Sequence, residues 1–171
     1  MSDKSGRSML DAVMDSWDRS NRILVNLLRV IPPGNLETRA MEDSPSIAEI
    51  FGHIHYVRLV FVSEDAPEFA QNIPAKEWAG EADPSRMAEL LNESARGVGE
   101  AVLARVKSGR EMDIHYDHPI LLLQHMLWHE GYHHGQIKLA LKLAGHPIPN
   151  DDAGPLTWRV WMNKSARPQE P

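Results

Sequence analysis

Apolar residues recur at steps of three and four in the first part of the chain, which is the spacing of one face of an α-helix. Pro32 and Pro33 follow this stretch, and proline inside a helix removes a backbone donor and clashes with the preceding turn. We therefore predict a first helix that ends before these prolines. Its apolar face comprises Leu10, Val13, Met14, Trp17, Leu24, Leu27, Leu28 and Ile31.

A second helix is predicted to begin at Ser46. This serine is followed three residues later by Glu49, and the two side chains can each accept a hydrogen bond from a free amide of the first turn, an arrangement called a capping box. Helical spacing of apolar residues continues to about Ser63. Residues 64–83 contain two prolines and a glycine without a sustained period, which indicates a long connection.

Two further helices each begin at a polar residue followed by proline. The polar side chain can cap free amides, and proline at the first helical position loses no hydrogen bond. Asp83 and Pro84 begin the third helix. The same signal at residues 117–119 begins the fourth and most apolar helix, over residues 120–144, which Gly145 ends. The stripe expected to be buried in the third helix comprises Met87, Leu90, Leu91, Val98, Ala101, Val102 and Val106.

Four amphipathic helices, with no alternating segment and no internal repeat, predict an all-α chain folded as a four-helix bundle. We expect one domain over residues 1–171, because a chain of this length can bury most of its apolar surface around a single core. After Pro147, the bulk of Trp158 and Trp161 predicts that the tail packs back on the bundle.

Composition excludes several kinds of chemistry. The chain has no cysteine, which excludes disulfides, thiolate zinc sites and a cysteine nucleophile and is typical of a reducing compartment. Charged residues interrupt the apolar residues at the amino terminus, and no stretch is long enough to span a bilayer, so we expect a soluble, cytoplasmic protein. The formal charge of −6 is scattered along the chain. We therefore expect neither nucleic acid nor a membrane as a partner.

Two histidines define a candidate metal site in the fourth helix. His129 and His133 are four residues apart, so their side chains share one face, with Cβ atoms about 5–6 Å apart. An unpartnered polar group on a buried face costs about 1–3 kcal/mol, and a shared metal ion would satisfy both rings. Ordinary core histidines that bond to side chains or water are the alternative. The apolar residues that flank the pair are Leu122, Met126, Ile137 and Ala140.

Neutral histidines are the commonest protein ligands of zinc, nickel and related ions, so we look for a third histidine to complete the site. The second helix offers two candidates. Spacing alone does not separate His53 from His55. His53 shares its face with Ile50, Val57, Val60 and Phe61, and His55 shares the other with Phe51, Leu59 and Val62.

Residues 129–133 read HEGYH and match the zincin pattern HExxH, in which two histidines bind zinc and the glutamate activates water. Zincins carry this helix beside a β-sheet and take a third ligand from farther down the chain. Here only Asp151 and Asp152 follow, in a loop flanked by prolines. We therefore give a zinc metalloprotease less weight than a three-histidine site, while Glu130 stays a candidate general base in either fold. His125, one turn before the pair, is interpreted as a core or outer-sphere residue.

The fourth helix, HMLWHEGYHHGQIKLALKLAG, resembles the last core helix of the DinB-like superfamily, whose signature is HxxxH, a variable residue and then GQ. The segment SIAEIFGHIHYVR resembles the second helix of that superfamily, in which a histidine is the third metal ligand. This resemblance selects His53 over His55. His134 departs from it, because many members carry arginine there, and the cation that would anchor an anionic substrate or a dimer contact is missing.

The resemblance implies a homodimeric four-helix bundle that holds one divalent ion through His53, His129 and His133. Water or substrate would complete the coordination shell, as at catalytic sites. We expect zinc or nickel, with iron or manganese as alternatives. The implied reaction is that of a transferase, thiol-dependent in some relatives, or of a hydrolase acting on a small molecule, with Glu130 or Gln136 orienting a proton or water. A non-catalytic metal-binding or stress-response module with a structural ion is the alternative.

Overall fold

The computed structural model describes residues 8–162, and every regular element in this range is helical. The prediction of an all-α chain is confirmed. Residues 8–162 contain no β-strand, and their β-bridge pairing consists of one isolated bridge between Arg39 and Ser46. The ends of the expected domain, residues 1–7 and 163–171, lie outside the described part. The helices are α1 (Met9–Val30), α2 (Ile47–Asp65), α3 (Pro84–Ser108), α4 (Pro119–Leu143), α5 (Asn150–Leu156) and α6 (Trp158–Met162).

Each of the four long helices begins where a side chain accepts a hydrogen bond from an amide of the first turn. At α2 the predicted capping box is present, since Glu49 N donates to Ser46 Oγ at 3.2 Å and Ser46 N donates to Glu49 Oε2 at 2.6 Å. Ser8 and Asp11 form a second capping box at α1. Asp83 Oδ1 accepts from the amide two residues on, at 2.8 Å. These local bonds place the helix starts independently of packing.

Among the described residues, the apolar core consists of two clusters to which all four long helices contribute side chains. None of the helices in residues 8–162 combines the length and apolarity that crossing a membrane would require. One cluster includes Leu24, Leu28, Phe51, Ile54, Leu91, Ile137 and Leu141. The other includes Trp17, Val62, Val98, Val102, Leu122 and Met126.

A buried polar layer lies between the two clusters along the helices. Arg58 of α2 and Glu130 of α4 are 0% and 1% exposed and form a bidentate ion pair with N···O distances of 2.6 and 2.9 Å. Arg58 Nη1 also donates to Asn21 Oδ1 of α1 and to the Leu91 carbonyl of α3. The guanidinium carbon lies 5.0 Å from the centre of the Trp17 ring. One arginine thus contacts all three of the other long helices.

The C-terminal segment forms two short helices that the sequence did not predict. α5 and α6 both contact α1, and Asn26 Nδ2 of α1 donates to the Leu156 carbonyl at 3.1 Å. Val160 is buried, whereas Trp158 and Trp161 remain 47% and 45% exposed. The two indoles on which the sequence argument relied are therefore half in solvent.

The polar layer generates a stability prediction. Arg58→Met leaves the Glu130 carboxylate buried without a partner, and we expect the free energy of unfolding to fall by about 3–5 kcal/mol. The double variant Arg58→Met/Glu130→Leu should recover a large part of this loss, because an apolar pair needs no compensation. Urea denaturation of the metal-free protein measures both.

The matched control is Arg86→Met, which removes an ion pair with Glu89 whose partners are 52% and 67% exposed. It should change stability by at most about 1 kcal/mol. A double variant as unstable as Arg58→Met alone would show that the buried pair does not act as a unit.

Candidate metal centre

Three histidines from two helices converge at one place in the fold. His53 lies in α2, and His129 and His133 lie one turn apart in α4. The Nε2 atoms of His53 and His133 each lie 3.1 Å from Nε2 of His129, and one ring nitrogen from each histidine lies within 4.8 Å of the others. His53 and His133 are buried, and His129 is half-buried. This is the set that the resemblance selected.

The outward-facing nitrogens determine where the protons are. His133 Nδ1 lies 2.8 Å from Gln136 Oε1, and because a carbonyl oxygen only accepts, Nδ1 carries the proton and Nε2 the lone pair. His53 Nδ1 lies 3.0 Å from Glu77 Oε1, which favours the same tautomer, although the N–H is not well aligned with that oxygen. Two lone pairs therefore point at His129 Nε2, which carries at most one proton.

A bound cation would resolve this conflict. A tetrahedral zinc ion bonded to imidazoles at about 2.0–2.1 Å holds its nitrogens about 3.4 Å apart. The two separations that involve His129 are 3.1 Å, close to that value, and all three ligand nitrogens lie within 4.8 Å of one another. His129 Nδ1 is buried without a hydrogen-bond partner, so the His129 ring gains little from its protein surroundings. The three residues could therefore hold a single metal ion.

Burial keeps the three rings in the protonation state that binds metal. Desolvation is the largest cause that lowers the pKa of His53, His129 and His133 below the usual value. The effect is largest at His129, whose pKa falls to about 3 because the neighbouring His133 and His53 also oppose a positive charge there. Neutral imidazoles need to lose no proton before they coordinate a cation.

The connection between α2 and α3 covers one side of the cluster. The Trp78 ring stacks on His53 with a centroid distance of 4.0 Å and an interplanar angle of 4°, and it lies edge-on to His133 at 6.3 Å. Together with Glu77, it belongs to a segment in which the sequence indicated a connection and no site residue. A single Glu-Trp pair outside any periodic pattern gives no signal that would have identified these two residues.

The two candidate catalytic residues have different surroundings. Gln136 lies at the cluster, where its oxygen accepts from His133 and its Nε2 donates to the Tyr132 hydroxyl at 2.9 Å. Glu130 does not face the cluster, because both of its oxygens accept hydrogen bonds from Arg58. The carboxylate to which the HExxH interpretation assigns the activation of water is therefore paired with an arginine in this structure.

Two other histidines lie outside the cluster. His55 faces α3, where it contacts the backbone of Leu90 and burial lowers its pKa. The two histidines of α2 that spacing did not distinguish therefore point in different directions, His53 toward the cluster and His55 toward α3. His125 Nδ1 lies 2.7 Å from the Tyr116 hydroxyl, so its outward nitrogen is already partnered within the protein.

Comparison with known proteins identifies the family. The chain matches none of the curated proteins and none of the solved structures with which it was compared. The sequence profile of the DinB family matches residues 1–164, a range that includes α1 to α6 of the described part and the three converging histidines. The chain therefore belongs to the DinB family.

Proposed function

We propose that the protein is a divalent-metal-dependent enzyme, a transferase or hydrolase acting on a small molecule, with His53, His129 and His133 as the metal ligands. The observation that carries the proposal is the convergence of three neutral imidazoles, to which no cysteine or carboxylate of residues 8–162 adds a fourth ligand. Structural zinc sites usually fill four positions with protein atoms, whereas catalytic sites leave one for water or substrate.

Residues around the three histidines orient the His133 ring and pair the Glu130 carboxylate within the core. When bound, such an ion lowers the pKa of a water molecule or thiol in its shell, so it supports hydrolysis and thiol transfer alike. Gln136 holds the His133 ring through Nδ1, and the Tyr132 hydroxyl in turn holds the Gln136 amide. Arg58 retains the Glu130 carboxylate in the core. Zinc or nickel is the proposed ion because all three donors are imidazoles, and iron and manganese are the alternatives.

A second candidate is a non-catalytic metal-binding or stress-response module with a structural ion. The observation that favours it is the indole of Trp78, which covers one face of a candidate ligand and restricts access from that side. The two functions differ in whether an external molecule can reach the ion.

The ligand set is tested by elemental analysis of purified protein. We expect one equivalent of metal in the parent and loss of it in His53→Ala, His129→Ala and His133→Ala, because two remaining imidazoles hold an ion far more weakly. The matched control is His55→Ala, since this second histidine of α2 faces α3 and its removal should leave the metal in place. Full metal content in His53→Ala would disprove the ligand set.

Access to the ion distinguishes the two candidate functions. We expect azide, a hydroxamate or a small thiol to shift the visible absorption of the cobalt-substituted protein, because an open position exchanges its ligand. An inert spectrum would favour the structural ion. In parallel, the metal-loaded protein is assayed on panels of thiol-transfer, isomerase and hydrolase substrates, and any turnover should be absent in His129→Ala.

The proposal also includes a cytoplasmic homodimer, built on a four-helix bundle of the family type with the C-terminal segment packed on it. A two-fold interface requires a face that is complementary to itself, and the outer face of α4 offers an apolar stripe. A second copy of the chain is its proposed occupant. The exposed side chains of the stripe are Leu121, Trp128, Tyr132, Leu139 and Leu143.

Sedimentation velocity tests the dimer. We expect a dimeric parent, and a monomeric Leu139→Glu variant because a charge in an apolar interface is costly. A parent that sediments as a monomer at all concentrations would contradict the proposed partner.

A further inference from the structure

The connection between α2 and α3 lies unusually close to α2 beside His53. A Cβ atom at Gly52 would lie 2.1 Å from the Ala79 carbonyl oxygen, far inside any tolerated contact. On the other side of the same contact, a Cβ at Gly80 would lie 3.2 Å from Cβ of Ala48. The absence of side chains at two glycines therefore permits this approach, and the segment that immediately precedes Ala79 is held against the helix.

That segment carries the two residues that contact the His53 ring. Glu77 lies against its Nδ1 edge, with the oxygen 3.0 Å away, and Trp78 covers its face in a nearly parallel stack at 4.0 Å. An edge contact and a face contact together restrict both the flip and the tilt of an imidazole. The nitrogen left free by these contacts is Nε2, which is the atom that approaches His129.

We propose that Glu77 and Trp78 are outer-sphere positioning residues of the metal centre, and that metal affinity depends on the seating of the α2–α3 connection on α2. This inference rests on the proposed metal ligation by His53. It assigns neither residue to the reacting atoms. Both act through the orientation and tautomer of one ligand ring.

The physical basis is the dependence of a ligating histidine on what its other nitrogen contacts. A carboxylate at Nδ1 holds the proton there and makes Nε2 a stronger donor, and removal of such a partner typically costs about 10- to 100-fold in metal affinity. The other two rings have no anionic contact among the described residues. His133 contacts the neutral amide of Gln136, and His129 Nδ1 is buried without a partner. In the described part of the chain, His53 is thus the ring of the three that contacts an anionic group, the carboxylate of Glu77.

The first test measures cobalt affinity by competition with a chromophoric chelator. We expect Glu77→Ala to weaken binding by about 10- to 100-fold. Glu77→Gln should bind with intermediate affinity, because an amide oxygen keeps the acceptor at Nδ1 but not the charge. This partial rescue is not expected of a carboxylate that only stabilises the fold. Melting temperatures of the metal-free variants are recorded to show that each remains folded.

A steric variant tests the seating without altering any atom of the site. Gly52→Ala places a methyl group against the Ala79 carbonyl and should displace the connection, so cobalt affinity should fall while the helical circular dichroism spectrum is kept. The matched control is Gly131→Ala, between the two histidines of α4, where a Cβ meets nothing within 4 Å. This control should bind cobalt as tightly as the parent.

A spectroscopic readout follows from the stack on His53. Cobalt binding should quench the fluorescence of Trp78, so Trp78→Phe should lose most of the metal-dependent quenching and Trp161→Phe should keep it. If the parent binds cobalt but Glu77→Ala and Gly52→Ala bind it equally well, this inference is wrong and the proposed function stands. If the parent binds no cobalt, both are wrong.

Discussion

The buried ion pair between Arg58 and Glu130 connects the two helices that carry the candidate metal ligands. Arg58 follows His53 by five residues, and Glu130 is adjacent to His129. A buried pair adds little net stability compared with apolar side chains, but a shift of one helix along the other would leave two charges without partners. The pair therefore restricts α2 and α4 to one register, and this register determines the distance between the imidazoles.

Neighbouring positions of α4 serve different functions because successive residues point about 100° apart around a helix. His129 and His133 face the cluster, Glu130 faces the core, and Tyr132 is exposed to solvent. The sequence HEGYH matches the HExxH pattern of zinc proteases. Its glutamate is committed to an arginine 72 residues away in the sequence, so the meaning of the motif depends on a contact that the motif does not contain.

The helices and the site residues were predictable to different degrees. Spacing and capping signals are local, so the Ser46 cap and the histidine pair of α4 could be identified from sequence. The choice between His53 and His55 could not be made from spacing, since both faces of α2 are apolar, and it came from the family resemblance. Glu77 and Trp78 were missed because their position depends on a backbone contact at Gly52, and no periodic pattern records such a contact.

The arrangement of the three histidines has a consequence for a chain without cysteine. Two of them belong to a single helical turn, while the third lies 76 residues before His129. A bound ion would join these distant positions as a disulfide does, by closing a long loop and removing conformational freedom from the unfolded chain. Such a cross-link would form and open with the supply of metal. It would not respond to redox conditions as a disulfide does, because the chain contains no cysteine.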